Sequence, residues 1–335
     1  MRGQALSVED VADPVPRPGE VLVKTLACGI CGSDLHALRH GEQMVAMSEE
    51  AGAAFVMDLS RPVVMGHEFC AEVVEVGPDA GTGVAAGDRV VSLPVIVEPD
   101  GMHAVGYSND YPGGYGELMA LSAMLLLPVP NGLDSDLAAL TEPMAVGRHA
   151  VARSRIAPGD AAAVIGCGPV GLAVIADLRL RGIEPIVAAD FSPARRALAV
   201  TMGATEVVDP STEPVVDAWR RVDGAKPLVL FEAVGIPGLL DSAMAAAPKN
   251  ARVLVVGVCM EQDAIRPMLG IAKELDISFA LGYSYEEFAD TLRSIAEGEL
   301  DVAPLITGRV QIDGVPDAFT DLANPEAHCK ILVNP

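Results

Sequence analysis

The sequence is poor in aromatic residues and in basic charge. Phe, Trp and Tyr make up 4% of the chain, and 23 Lys and Arg stand against 46 Asp and Glu, for a formal net charge of −23. So acidic a chain repels phosphate backbones and anionic lipid headgroups, so neither nucleic acid nor membrane is an expected partner. No run of about eighteen uninterrupted apolar residues occurs, so no membrane-spanning helix is expected. The longest candidate, Ala161 to Ile175, is broken by three glycines and a proline. Met1 to Pro14 holds Glu9, Asp10 and Asp13 and no apolar run, unlike a secretory signal. Cysteine is sparse as well. Cys28, Cys31, Cys70, Cys167, Cys259 and Cys329 are scattered over the chain. That pattern suits a reducing, cytoplasmic compartment, where thiols serve as core residues or metal ligands.

Aliphatic residues are abundant. Hydrophobic residues form 50% of the 335, enough for two packed cores, and the length itself suggests two domains. The first part reads as mostly β. Val21 to Leu26, Ala71 to Val76 and Arg89 to Leu93 are β-branched runs bounded by turn residues, and Gly113-Gly114 opens a strand-like stretch, Tyr115 to Leu121. Strands without helices between them suggest a barrel or sandwich. The pattern changes at Leu137, where alanines and aliphatics recur at helical spacing through Ser154. Strands at Ala162 to Ile165, Ile186 to Ala189, Val207-Val208, Leu228 to Phe231, Val253 to Val256 and Ile277 to Leu281 then alternate with helices. This alternation is that of a doubly wound parallel sheet. A tail follows, with helices over Tyr285 to Glu297 and Val315 to Leu322 and a strand at Lys330 to Val333.

Gly166-Cys167-Gly168-Pro169-Val170-Gly171 fits the G-x-G-x-x-G pattern, after an apolar strand and at the start of a helix. The first glycine permits the tight turn, the second lets backbone approach a pyrophosphate, and the third lets helix pack on strand. The helix N-terminus attracts the negative charge. Asp190 ends the next strand, where a carboxylate accepts the ribose hydroxyls and repels a 2′-phosphate, which favours NAD over NADP. Arg195 lies one turn into the following helix and is placed to flank the adenosine; with Arg196 it is the feature that speaks for NADP.

Cys28-Gly29-Ile30-Cys31 alone reads as a zinc half-site or a redox pair, and no second Cys-x-x-Cys completes a structural zinc site. A lone histidine such as His67 is more often a core or surface residue than a ligand. Taken in order, however, Cys31-Gly32-Ser33-Asp34-Leu35-His36, Gly66-His67-Glu68-Phe69, Gly87-Asp88-Arg89-Val90, Glu142-Pro143 and the glycine turn at 166 resemble the zinc-containing medium-chain dehydrogenases. The resemblance covers nearly the whole chain. It implies an α/β plus β fold: a GroES-like catalytic domain over 1–148, a Rossmann NAD-binding domain over 149–284, and a return to the catalytic domain over 285–335. It implies a zinc-dependent, NAD-linked alcohol dehydrogenase that oxidises a secondary alcohol or polyol to a ketone.

By the same resemblance Cys31, His67 and Glu142 are ligands of one catalytic zinc, and Glu68 is a carboxylate that ligates directly or exchanges with water. This set is closest to the polyol, threonine and glucose dehydrogenase branches. Asp34 orients the His67 ring, Ser33 touches the substrate oxygen, and His36 exchanges the proton with solvent. Val256 and Val258 lie where backbone holds the carboxamide, and Val170 and Val146 where side chains pack on the nicotinamide. Lys330 approaches the zinc carboxylates. Cys28 is expected to be a buried thiol. Three departures from the family stand out. Val95 to Gly114 lacks the four cysteines of a structural zinc, so none is expected; Cys70 replaces a glycine; and the N-terminus begins a few residues late. The stretch between His36 and Gly66 is long, and Met44, Val45, Met47, Phe55, Val56 and Met57 are read either as a flap over the cleft or as filling for a satellite core. A homodimer or homotetramer paired near Ile277 to Leu281 is expected. The competing readings are a zinc-free enone or quinone reductase and a non-catalytic nucleotide-binding protein.

Overall fold

The computed structural model describes residues 1–52, 56–81, 83–99 and 101–335. The chain builds two main sheets. In the first half, β1 (Glu20–Gly29) leads into helix α1 (Gly32–Ala51), followed by β2 (Glu68–Val76), β3 (Arg89–Ser92), the hairpin β4 (Val95–Glu98) and β5 (Gly101–Ala104), β6 (Leu118–Ser122) and β7 (Leu126–Pro128). Helices α2 (Ser135–Ala139) and α3 (Thr141–Arg153) then lead into an alternating region. This comprises β8 (Ala161–Ile165), α4 (Pro169–Leu180), β9 (Ile186–Ala189), α5 (Pro193–Met202), β10 (Glu206–Val208), α6 (Val215–Asp223), β11 (Leu228–Glu232), α7 (Leu239–Ala246), β12 (Arg252–Val255), α8 (Pro267–Lys273) and β13 (Asp276–Phe279). The tail is α9 (Tyr285–Ala296), β14 (Ile306–Val310), α10 (Val315–Asp321) and β15 (Lys330–Val333).

The second sheet runs β10-β9-β8-β11-β12-β13, all parallel. Its strands are short aliphatic runs because helices cover both faces and leave no side for polar residues. The chain order reverses between β8 and β11, which is where such sheets open a crevice for a ligand. The first sheet runs β14-β15-β1-β2-β3-β7, with β6 also on β1. The tail therefore returns to the first sheet, and β15 lies antiparallel against β1. The register Gly29↔Glu68 and Cys28↔Phe69 sets the end of β1 beside the start of β2.

Two buried clusters fill most of the alternating unit and one the first unit, and a fourth joins them. Ala27, Cys70 and Val91 of the first sheet meet Ala138 and Ala139 of α2, Ala145 of α3, and Phe288 and Leu292 of α9. Full burial of a ring such as Phe288 is worth about 2–3 kcal/mol, so this seam fixes α3 against the first sheet. The helix expected from Leu137 to Ser154 is two helices that meet at Leu140. Pro143 is the reason: its ring has no amide hydrogen to give and would collide with a helical carbonyl four residues back. The break starts a new helix at Thr141 and places Glu142 in its first turn. The stretch expected as a strand from Tyr115 begins as strand only at Leu118.

The segment after His36 is helical through Ala51, with a kink at His40. Met44 and Val45 pack against the core of the first unit and Met57 is buried, whereas Met47 and Val56 are exposed. Core filling thus accounts for three of these side chains, and Phe55 lies outside the described residues. Among the described residues no helix is long and apolar enough to cross a membrane.

Candidate active site

Cys31 stands just past β1, at the position that caps α1. His67 immediately precedes β2, and Glu68 opens it. Pairing of the two strands therefore gathers three donors: the Cys31 sulfur, a His67 ring nitrogen and a Glu68 oxygen all lie within 4.8 Å of one another. Glycine at position 29 leaves room for the Glu68 carboxylate, which a side chain there would have to displace. The donor set suits zinc, which takes thiolate, imidazole and carboxylate at about 2.0–2.3 Å in a tetrahedron, so that its donors lie about 3.3–3.8 Å apart. Glu142 is not part of the tight cluster. It is buried at the start of α3, and its Oε1 accepts a hydrogen bond from the Tyr283 hydroxyl at 2.9 Å.

The two His67 nitrogens have different surroundings. Nδ1 lies 3.5 Å from Asp34 Oδ1, an ion-pair distance, and has no hydrogen-bond partner among the described residues. Nε2 lies 3.5 Å from Ser33 Oγ and is the nitrogen left for a metal. Asp34 is fully buried, yet its carboxylate is well supplied with donors. It accepts from the Tyr107 hydroxyl at 2.8 Å, the Tyr115 hydroxyl at 2.6 Å and the Cys31 amide at 3.0 Å. Burial works against charge on both partners. The facing His67 and the hydrogen-bond donors nonetheless hold the Asp34 pKa below the ordinary carboxylate value. In the same way, burial opposes the His67 cation, but Asp34 and Cys31 raise its pKa well above that of a free imidazole.

The carboxylates differ. Glu68 is gripped by Lys330, whose Nζ lies 2.7 Å from each of its oxygens and also donates to the Ile30 carbonyl. No cation grips Glu142 in this way among the described residues, although the Lys330 charge also favours its ionised form. Burial, and after it the Glu68 charge, push its pKa up to about 7 despite the opposing influence of His67 and Tyr283.

Ser33 hydrogen-bonds Tyr107, not His36: its oxygen is 2.9 Å from the Tyr107 hydroxyl. Among the described residues no hydrogen bond joins Ser33 to His36. His36 is half-buried on α1, and burial, then His40 and Arg39, lower its pKa. It is therefore neutral near pH 7. Cys28 is a buried thiol, as expected, with its pKa raised well above the usual value by burial.

The glycine turn stands at the carboxyl end of β8. Gly166 has φ of 93°, a left-handed conformation that favours glycine, and a side chain at Gly171 would strike the Gly166 carbonyl. Gly168 faces open space, and Pro169 opens α4 where its missing amide hydrogen does no harm. Asp190 ties the turn together: its oxygens accept from the Cys167 and Ser192 amides, both at 2.8 Å. Arg196 is committed to the carbonyls of Asp190 and Phe191 and to Asp209. Arg195 keeps a buried Nε without a hydrogen-bond partner among the described residues. Val256 is buried, Val258 is exposed, and Val170 and Val146 pack at the margin of the core.

Several residues here were not singled out from the sequence: Tyr107, Tyr115, Tyr283 and Glu232. Glu232 ends β11 and fixes the neighbouring loop by accepting from the Val234 and Gly235 amides at 2.7 and 2.8 Å. A signal for the tyrosines was present. The chain has only 5, and Tyr107, Tyr111 and Tyr115 fall in one short segment while Tyr283 and Tyr285 fall in another. In a chain so poor in aromatics, such clustering marks a built environment.

A seam-linked pair of sheets, a cysteine–histidine–glutamate cluster and a glycine turn at the switch point define a metal-dependent nucleotide oxidoreductase. Residues 17–131 match the alcohol dehydrogenase GroES-like domain, and residues 169–297 match the zinc-binding dehydrogenase domain. The chain is 33% identical over 342 residues to (R,R)-butanediol dehydrogenase of Bacillus subtilis, covering 98% of this chain and 96% of that one. The crystal structure of 2R,3R-butanediol dehydrogenase from Bacillus subtilis superposes with a TM-score of 0.85 at 32% identity, covering 100% of this chain and 97% of the other. A zinc-binding dehydrogenase structure from Sinorhizobium meliloti, bound to NADP, matches at 0.84 with 29% identity, covering 99% and 96%. The chain belongs to the zinc-containing medium-chain dehydrogenase family, and it is an alcohol-oxidising enzyme of that family.

Proposed function

We propose that the enzyme oxidises a secondary alcohol, most readily one with a neighbouring hydroxyl, to a ketone with NAD, and runs the reverse reduction. The observation that carries this reading is the convergence of Cys31, His67 and Glu68 within 4.8 Å, with Glu142 beside them. Its relationship to butanediol dehydrogenase supports the diol class. The same donors speak against a zinc-free reductase and a merely nucleotide-binding role.

Cys31 and His67 would hold the zinc with Glu142 as a third ligand, and Glu68, already within 4.8 Å of the first two but paired with Lys330, would ligate directly or exchange with water. Bound zinc supplies a Lewis acid that lowers the pKa of an alcohol hydroxyl. The chain's own groups do the rest. Asp34, 3.5 Å from Nδ1, would keep the proton on that nitrogen and leave His67 Nε2 for the metal. Ser33 meets the substrate hydroxyl, and His36, neutral at pH 7, exchanges the proton with solvent. A water or a cofactor hydroxyl has to bridge those two. Gly166, Gly168, Pro169, Val170 and Gly171 would bear the pyrophosphate, and Asp190 the adenosine ribose, with Arg195 at its flank. Backbone at Val256 and Val258 would hold the carboxamide. NAD is favoured because Asp190 repels a 2′-phosphate and Arg196 is already committed.

We take 1–148 and 285–335 as the catalytic domain and 149–284 as the coenzyme domain, a division supported by the return of β15 to β1. We further propose pairing of subunits into a dimer or tetramer along β13, where Phe279 and Leu281 are 62% and 74% exposed. Six unpaired cysteines support a reducing, cytoplasmic setting.

The test is NADH formation by zinc-reconstituted protein across simple secondary alcohols, vicinal diols and sugar alcohols. Vicinal diols are expected to give the highest kcat/KM. No activity on any alcohol by protein that holds zinc would overturn the proposal.

A further inference from the structure

The segment between β5 and β6 sends two buried tyrosines to the same carboxylate, and only one of them also touches Ser33. Tyr107 is 3% exposed, with its hydroxyl 2.9 Å from Ser33 Oγ and 2.8 Å from Asp34 Oδ1. Its ring lies 5.1 Å from that of His67. Tyr115 reaches the other oxygen of Asp34 at 2.6 Å.

A phenol has one proton to give, and an ionised carboxylate can only accept. The Tyr107 proton therefore goes to Asp34, and the Tyr107 oxygen is left as an acceptor. Ser33 is the donor within reach. Ser33 therefore donates to Tyr107, and its oxygen also lies 3.5 Å from His67 Nε2.

We propose that Tyr107 is a positioning residue for the reaction: it holds the Ser33 oxygen where it accepts the hydrogen bond of the incoming alcohol, and the Ser33 hydrogen turns from Tyr107 to the bridging water or cofactor hydroxyl as the proton passes on to His36. This rests on the reading of Ser33 given above. Without the phenol, Ser33 rotates freely and spends part of its time as a donor, the wrong polarity for an alcohol about to lose its proton. Tyr115 does not share this role, because its hydroxyl is spent on Asp34 and, among the described residues, makes no hydrogen bond to Ser33.

The test is a double-mutant cycle on the zinc-loaded enzyme. Tyr107→Phe keeps the ring and its packing, and leaves Asp34 with Tyr115 and the Cys31 amide. It is expected to lower kcat/KM for alcohol oxidation about tenfold, the loss of one ordinary hydrogen bond. In a Ser33→Ala background the same change is expected to do nothing further. Tyr115→Phe, which acts through Asp34, is expected to keep its full effect in that background. Zinc affinity by chelator competition and melting temperature should shift no more for Tyr107→Phe than for Tyr115→Phe. Effects of Tyr107→Phe and Ser33→Ala that multiply would overturn the proposal, as would a loss that follows zinc affinity. If Ser33→Ala alone leaves oxidation unchanged, the role assigned to Ser33 fails first and that of Tyr107 with it.

Discussion

Lys330 Nζ lies 2.7 Å from both carboxylate oxygens of Glu68, and the two side chains are 1% and 0% exposed. They sit at the first positions of β15 and β2, strands that flank β1 from opposite sides. The tail of the chain thus reaches the centre of the site. Burial alone would strip the Lys330 proton, but Glu68 holds its pKa above the ordinary range.

Removing one partner of such a pair leaves the other charged in the interior, which costs about 3–5 kcal/mol. Lys330→Met is expected to lower the melting temperature of the metal-free protein markedly. Adding Glu68→Leu should restore most of the loss. If the double variant melts no higher than Lys330→Met, the pair is not what the single change disrupts.

Metal binding and protons compete at His67. Its pKa is raised in the metal-free site, so zinc has to displace a proton from it. Affinity for zinc is expected to rise with pH through the neutral range, with protons released on binding. Calorimetry in two buffers of different ionisation enthalpy measures that release, and equal heats in both would contradict the expectation.

Glu142 works in the other direction on stability. Below its ordinary value of 4.5 the carboxyl is protonated in both folded and unfolded chains, so nothing is lost. As pH rises from there to about 7, the unfolded chain ionises while the buried carboxyl resists, and stability falls. Metal-free Glu142→Gln is expected to lack this part of the pH dependence. Urea unfolding of both proteins between those pH values decides, and identical slopes would count against it.

The cofactor turn was legible because its parts are neighbours: three glycines and a proline in six positions, then one carboxylate at the end of the next strand. Cys31 and His67, each unremarkable alone, were legible only through the ordered set of motifs that resembles the zinc-containing dehydrogenases. Lys330 was expected near the zinc carboxylates, although its specific grip on Glu68 was not. Hydrogen bonds such as those of Tyr107 and Tyr115 to Asp34 join residues 73 and 81 positions apart and leave no periodic trace. Tyr283 reaches Glu142 across 141 positions for the same reason. The break at Leu140 was hidden because alanine and leucine continue the helical pattern through Pro143.

Asp190 should govern both affinity and preference for the nucleotide. Asp190→Asn weakens two hydrogen bonds that shape the turn, at Cys167 and Ser192, and removes the charge that repels a 2′-phosphate. KM for NAD is expected to rise about 10- to 100-fold, and the NAD preference over NADP to shrink. Steady-state kinetics with both nucleotides checks this. An unchanged ratio would mean that Asp190 does not read the ribose.

Leu281, at 74% exposure just past β13, should report on assembly. Leu281→Asp is expected to shift the protein towards monomer in sedimentation while leaving the melting temperature close to that of the dissociated parent. A parent protein that sediments as a monomer would contradict pairing through this edge.

The most direct measurement is zinc content after reconstitution and exhaustive dialysis, on the parent protein and on Cys31→Ser/His67→Ala. The parent is expected to retain about one zinc ion per chain and the double variant almost none. Equal zinc in both proteins, or none in the parent, would contradict the assignment of Cys31 and His67 as the centre of the site.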